Sequence, residues 1–201
     1  MLDPLFRRLI DPPLNRAAEI LRPTPLRANH LTWLGFACGL VAVAAVASGR
    51  ESWALLPFVL NRGLDGLDGA LARQRGSTDL GGFLDIVLDF GIYGLLGLAF
   101  AWGDPSRALS AAFLLASFLA TASSFLAYAI VAAKQGLVTT ERGDKAFYHL
   151  GGLAEGTETI VFFVAAMVWP DWFAALAWVY GGICWLTAIG RLRQGLRDFS
   201  A

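Results

Sequence analysis

The residues of this chain best equipped for chemistry are four aspartates set among apolar residues, Asp65, Asp68, Asp85 and Asp89. A carboxylate at membrane depth costs a few kcal/mol on insertion scales. Four of them at spacings of three and four, with glycines between, describe a site that binds cations and uses them. Uncompensated, four such charges could not all stay ionised together. Bound divalent cations resolve the conflict, and oxygen ligands with no His or Cys beside them suit Mg²⁺, Mn²⁺ or Ca²⁺ rather than zinc. Gly69 and Ala72 remove bulk from the same surface and leave room for a ligand against the backbone. Arg73 can fork onto a phosphate. Carboxylates, divalent metal, a small-residue platform and an arginine together point to phosphoryl-group chemistry.

The elements that must position these groups are helices. At 100° per residue, Asp65, Asp68, Gly69 and Ala72 fall within one arc, with Arg73 at its edge. Gly81, Asp85 and Asp89 follow at i, i+4 and i+8 on one face of a second helix. The link 74–79, with Gly76, Ser77, Thr78 and Asp79, predicts a turn that makes the two helices antiparallel neighbours. Counted outward from that turn, Asp68 and Asp85 lie at one depth and Asp65 and Asp89 at a deeper one, so the four converge.

Composition assigns the class. Hydrophobic residues make up 56% of the 201 residues and charged residues 16%, against about a quarter charged in a soluble domain. The expected fold is all-α and polytopic, with six membrane-spanning helices over roughly 31–49, 53–72, 80–102, 108–133, 157–170 and 172–190. Lys and Arg gather before the first span, around 73–75, across 134–145 and after the last span, whereas the opposite loops hold only Arg50 and Arg107. This bias predicts that both termini and the loop joining the aspartate helices face the cytoplasm. The expected organisation is a juxtamembrane segment over 1–30, a membrane domain over 31–192 and a tail over 193–201. Residues 1–22 read as an amphipathic element at the cytoplasmic interface, broken into short pieces by Asp11-Pro12-Pro13, and too interrupted for a signal peptide.

Other features read more plainly. Cys38 and Cys184 are small hydrophobes in apolar runs. Trp33, Trp53, Trp102, Trp169 and Trp172 fit an interfacial belt, His30 and His149 read as interfacial, and Ser123 and Ser124 as partners in helix–helix hydrogen bonds. Arg62, three residues before Asp65, reads as a counter-ion for the acidic cluster, with contact to a substrate phosphate as the alternative. Lys134, Arg142 and Lys145 either select an anionic acceptor or simply carry positive-inside charge. Glu155 and Glu158 either bind an amine or polyol acceptor or open a capped helix. No nucleophile–His–Asp arrangement, Walker loop or nucleic-acid patch is visible.

Asp65-x-x-Asp68-Gly69-x-x-Ala72-Arg73 followed by Gly81-x-x-x-Asp85-x-x-x-Asp89 resembles the signature of the CDP-alcohol phosphotransferase family. The Asn29-x-x-Thr32 entry to the first span fits it too. The resemblance implies a six-helix membrane enzyme, homodimeric, that transfers a phosphatidyl or other phospho-alcohol group from a CDP-linked donor to an acceptor alcohol in phospholipid synthesis and releases CMP. CDP-diacylglycerol is the favoured donor. It further implies a two-metal site of Mg²⁺ or Mn²⁺ held by Asp65, Asp68, Asp85 and Asp89. Asp89 would also be the general base, and Gly69, Ala72, Arg73 and Gly81 would line the CDP pocket. A bacterial inner membrane, with the site facing the cytoplasm, is the expected location. The sequence departs from the signature in one place, because the gap between Arg73 and Gly81 is one residue shorter than usual. Two rival readings are a cation or proton transporter using the aspartates as an ion path, and a non-catalytic nucleotide- or lipid-binding homologue. The acceptor is left open.

Overall fold

The structure is a computed structural model that describes residues 3–136 and 152–200; Arg142, Lys145 and His149 lie outside these ranges. Among the described residues every regular element is helical: α1 (Asp3–Leu21), α2 (Ala28–Ala47), α3 (Glu51–Arg75), α4 (Asp79–Gly103), α5 (Ala108–Lys134), α6 (Gly156–Val168) and α7 (Phe173–Asp198). Short 3₁₀ turns at Pro105–Arg107 and Pro170–Trp172 join α4 to α5 and α6 to α7.

Four stretches, Ala28–Ala47, Asp79–Gly103, Pro105–Lys134 and Pro170–Asp198, are long and apolar enough to cross a membrane. The other two expected spans are special for physical reasons. At ~1.5 Å per residue α3 is long enough to cross, but Arg62, Asp65, Asp68 and Arg73 lower its hydropathy. The 13 residues of α6 reach only about 20 Å, short of the ~30 Å hydrocarbon core. Leu40, Val41, Leu56, Leu119, Ile130 and Val179 are exposed on the outer surface, an apolar exterior that only lipid or another apolar partner can cover. The chain is an integral membrane protein.

The core lies where α2 to α7 meet, around fully buried Phe58, Ile92, Leu96, Phe100, Phe163 and Phe173. Phe100 stacks on Phe173 at a centroid distance of 4.2 Å, which joins the end of α4 to the start of α7. In α2, Gly35 and Gly39 form a small-x-x-x-small face that lets α3 and α4 approach closely. A Cβ on Gly35 would stand 3.3 Å from Leu64 Cβ, and one on Gly39 would stand 2.6 Å from Ile92 Cδ1 and 3.2 Å from the Asn61 amide. Gly39→Ala is therefore expected to destabilise the protein by about 1–3 kcal/mol, the usual cost of overpacking. Gly94→Ala, with no heavy atom within 4 Å of its Cβ, is the control that should not. Thermal unfolding of the two purified variants in one detergent checks this.

Three expectations are corrected. The N-terminal segment is not broken at its prolines, since Pro12 and Pro13 lie inside a continuous α1. The proline φ is itself helical, and the segment around them is exposed at Leu9 and Ile10, where solvent or headgroups can satisfy the carbonyls left without donors. The link between the aspartate helices is only 76–78, because α3 runs on to Arg75 and α4 starts at Asp79. Gly76 makes this sharp reversal at φ +99°, a region that disfavours side chains. Ser123 and Ser124 do not bridge helices. Their hydroxyls donate back to Ala120 O and Thr121 O in their own helix, the local alternative open to any helical serine.

The two ends of the bundle differ. Trp53, Trp102, Trp169 and Trp172, all more than 60% exposed, mark the end where α3 begins, α4 stops and α6 passes to α7. The opposite end carries Arg73, Arg75 and the arginines of the C-terminal part of α7, Arg191, Arg193 and Arg197. There Arg75 works structurally: its guanidinium donates to the carbonyls of Leu21, Arg22, Thr24 and Leu26, pinning the α1–α2 linker to the end of α3.

Candidate active site

The i, i+3 pair on α3 meets the first member of the i, i+4 pair on α4. Asp65, Asp68 and Asp85 each place a carboxylate oxygen within 4.8 Å of the others. Asp68 is buried and Asp85 exposed, so the cluster spans the boundary between protein and cavity. Thr32 of α2 donates to Asp68 Oδ2 at 2.5 Å, which fixes that carboxylate. Three hard oxygen donors at this separation, one already oriented by a hydroxyl, have the chemistry of a Mg²⁺ or Mn²⁺ site. The residues present fit such an ion.

Asp89 is placed differently. It lines the same cavity, but its two oxygens accept from Arg62 Nη2 at 2.7 Å and Nη1 at 3.0 Å. The same guanidinium lies 3.7 Å from Asp65 Oδ2. The counter-ion reading of Arg62 therefore matches the geometry, and its fork onto Asp89 is closer than its approach to the cluster. A water-sized space of about 10 Å³ lies among Thr32, Asn61, Asp65, Asp85 and Asp89, enough for one water molecule among polar partners.

The carboxylates border a cavity of about 1230 Å³, at or above the upper end of ordinary ligand pockets. Gly69, Ala72, Arg73 and Gly81 all line it. The smallness of Gly81 has a local cause. Its amide donates to the Thr78 hydroxyl that caps α4, and a Cβ there would come within 3.1 Å of that oxygen and 3.5 Å of Asn29 Oδ1. On Gly69 a Cβ would meet the Arg73 guanidinium at 3.3 Å, so the missing side chain gives Arg73 its path across the helix face. The seven residues between Arg73 and Gly81 are thus the last two of α3, the three-residue link with its Gly76 reversal and Thr78 cap, and the first two of α4.

The remaining walls were not legible as site residues. Asp11 and Leu14 of α1 border the cavity, as do Phe118 and Thr121 of α5 and Tyr180 and Arg191 of α7. The Arg191 guanidinium donates to Thr121 O at 3.1 Å and lies 5.4 Å from the Phe125 ring centroid. Tyr93, which hydrogen-bonds Arg62 at 2.8 Å, could have been found, since it extends the Asp85, Asp89 stripe by another four residues. Glu155 and Glu158 form a reciprocal capping box at the start of α6; Glu155 also accepts from Gly152 N at 3.0 Å. Glu155 also faces the cavity.

A helical membrane bundle with a carboxylate cluster and an arginine at the border of a large cavity suits a metal-using enzyme of the membrane, and the comparisons with known proteins give its class. The sequence model of the CDP-alcohol phosphatidyltransferase family matches residues 26–190, and this chain belongs to that family. It is 45% identical over 196 residues to the inner membrane protein YnjF of Escherichia coli, covering 97% of this chain and 95% of YnjF. An archaetidylinositol phosphate synthase of Methanothermobacter thermautotrophicus is 39% identical over 87 residues, 43% of this chain and 41% of that protein. Two crystal structures of the Mycobacterium tuberculosis phosphatidylinositol phosphate synthase PgsA1 share the fold. The one with CDP-DAG bound superposes with a TM-score of 0.72 at 22% identity, over 91% of this chain and 93% of that one. The one with manganese and citrate gives 0.69 at 23%, over 90% and 87%. The chain is thus an enzyme, a transferase of substituted phosphate groups in the membrane, and the ion-transporter alternative is set aside.

Proposed function

We propose that this protein transfers a phosphatidyl group from CDP-diacylglycerol to the hydroxyl of an acceptor alcohol and releases CMP, using Mg²⁺ or Mn²⁺. The observation that carries the reading is the convergence of Asp65, Asp68 and Asp85 at a cavity that Gly69, Ala72, Arg73 and Gly81 also line. The CDP-DAG bound to the tuberculosis synthase of the same fold supports the choice of donor. In this reading Asp65, Asp68 and Asp85 hold the metal, with Asp89 as a fourth carboxylate that a second ion can share. Ions held there would supply positive charge against the donor diphosphate and the departing CMP. Gly69 and Ala72 let the nucleotide lie against α3, and Gly81 does the same at the start of α4. Arg73 takes a phosphate oxygen at the rim. Asp89 orients the acceptor hydroxyl and receives its proton as the oxygen attacks the donor phosphorus.

The same proposal includes six crossings, with α3 and α6 as the fifth and sixth beside the four apolar spans, both termini and the cavity on the cytoplasmic side, and a homodimer in a bacterial inner membrane. The gathering of arginines at one end of the bundle supports that orientation, and the E. coli relative's description as an inner membrane protein supports the location. Purified protein incubated with CDP-diacylglycerol and a panel of acceptor alcohols is expected to release CMP only with Mg²⁺ or Mn²⁺ and only with the matching acceptor. Release that is unaffected by chelation, or that never depends on an acceptor, would sink the proposal.

A further inference from the structure

Arg62 has no task in the transfer as described, yet its side chain is only 8% exposed and it is held from several sides. Nη1 and Nη2 fork onto the two oxygens of Asp89. Nε donates to Asn61 Oδ1 at 2.7 Å, and Asn61 in turn donates to Gly35 O of α2 at 2.8 Å. Nη1 also donates to the Tyr93 hydroxyl, while the Tyr93 ring lies 5.1 Å from the guanidinium carbon and stacks on Phe163 of α6 at 5.8 Å. A guanidinium anchored through α2, α3, α4 and α6 is not a mobile arm that reaches for substrate.

We propose that Arg62 is a positioning residue that divides the four aspartates between two tasks. It holds Asp89 chiefly as the aligned acceptor of the substrate hydroxyl and leaves Asp65, Asp68 and Asp85 as the principal metal-ligand set. This rests on the transfer reading above. A two-point fork is planar and fixes the orientation of the carboxylate, which a single contact or a lysine ammonium cannot do. Each carboxylate oxygen has more than one acceptor position, so the fork leaves Asp89 able to receive a third group. The guanidinium also offsets the fourth negative charge beside the cluster. Without Arg62 that charge is uncompensated, the field at the metal-ligand set becomes more negative, and Asp89 is free to turn toward the ions.

The two consequences have opposite signs, and this separates positioning from mere structural support. Arg62→Gln is expected to bind Mn²⁺ about tenfold more tightly, because a positive charge close to the ligands has gone. Its kcat should fall about a hundredfold, the scale of a misplaced reacting group, with KM for CDP-diacylglycerol within about threefold of wild type, since the residues assigned to the nucleotide, Gly69, Ala72, Arg73 and Gly81, are unchanged. Arg62→Lys keeps the charge and loses the fork, so Mn²⁺ affinity should stay near wild type while kcat falls about tenfold. Mn²⁺ binding is read by the free-ion electron paramagnetic resonance signal during titration of detergent-purified protein, and kcat by CMP release. A parallel loss of Mn²⁺ affinity and kcat in Arg62→Gln overturns the proposal, as does an unchanged kcat in either variant. If Arg62→Gln does not fold, Arg62→Lys decides alone, with reduced kcat at unchanged Mn²⁺ affinity as the supporting result. A wild-type protein that binds Mn²⁺ but releases no CMP defeats the transfer reading. In that case the Mn²⁺ titrations alone decide the fork, and Arg62→Gln that binds no more tightly than wild type, or Arg62→Lys that binds as Arg62→Gln does, overturns it.

Discussion

Asp85→Asn is expected to lower CMP release by about a thousandfold or more and to weaken Mn²⁺ binding at least tenfold. A catalytic metal is worth several kcal/mol of charge stabilisation in the transition state, and each ~1.4 kcal/mol is a factor of ten in rate. Asp85 is the exposed member of the three-carboxylate cluster, so its neutral replacement costs the fold little and the loss is a loss of function. Asp89→Asn should lose transfer as completely but keep more Mn²⁺ affinity than Asp85→Asn, because both Asp89 oxygens already accept from Arg62. A variant at position 85 with wild-type CMP release would remove Asp85 from the metal set. Equal Mn²⁺ losses at 85 and 89 would show that Asp89 is a metal ligand of the same rank.

Helical periodicity and one turn carried most of the site. Asp65, Asp68, Gly69 and Ala72 share an arc because 3.6 residues make a turn, and the short link forces α3 and α4 to be antiparallel neighbours. Those two facts suffice to bring Asp85 to Asp65 and Asp68, and both can be read from residue spacing. The helix–helix crossings could not be read in the same way. That Thr32 would reach Asp68 and that Asn61 would tie Gly35 to Arg62 depends on how α2 crosses α3, which the Gly35, Gly39 face permits but does not dictate. Arg62 was visible as a charge with the acids, yet the choice of Asp89 over Asp65 as its main partner is a matter of side-chain reach across two helices.

Apolar length was the weaker guide to the bundle. It marks α2, α4, α5 and α7 without difficulty, and it under-reads α3 because that helix carries the chemistry. The charges that make α3 a poor span are the ones that form the site. Proline misled in the other direction. Pro12 and Pro13 within α1 and Pro57 within α3 are all tolerated, because a proline removes one donor and crowds one carbonyl but still has a helical φ. In α1 the outcome matters for the site, since an unbroken helix brings Asp11 and Leu14 to the cavity wall.

The bundle is pinned at its far end by charges, and breaking that pin should show that frame and site are separable. Arg107→Met is expected to destabilise the protein by about 3 kcal/mol, near the lower end of the range for removing one partner of a buried ion pair. Arg107 Nη1 lies 2.8 Å from Glu51 Oε1, with both side chains 12% exposed, and Nε lies 3.1 Å from the more exposed Asp104. Asp104 can spare the arginine. The Ser106 hydrogen bonds, from its side chain and its amide, already hold that carboxyl below its ordinary range, and water reaches it. Glu51 has less access to water and is the group left uncompensated, so the double variant Glu51→Gln, Arg107→Met should recover most of the loss. Glu51 precedes Asp65 by 14 residues on α3, about 21 Å along the helix axis. The single variant, assayed well below its unfolding temperature, should therefore keep its CMP release and Mn²⁺ affinity while its thermal midpoint falls by about 6–12 °C. A single variant as stable as wild type would mean that the Arg107–Glu51 pair is fully solvated, and the joint between α3 and the α4–α5 turn would then rest on the apolar packing around Phe100 alone.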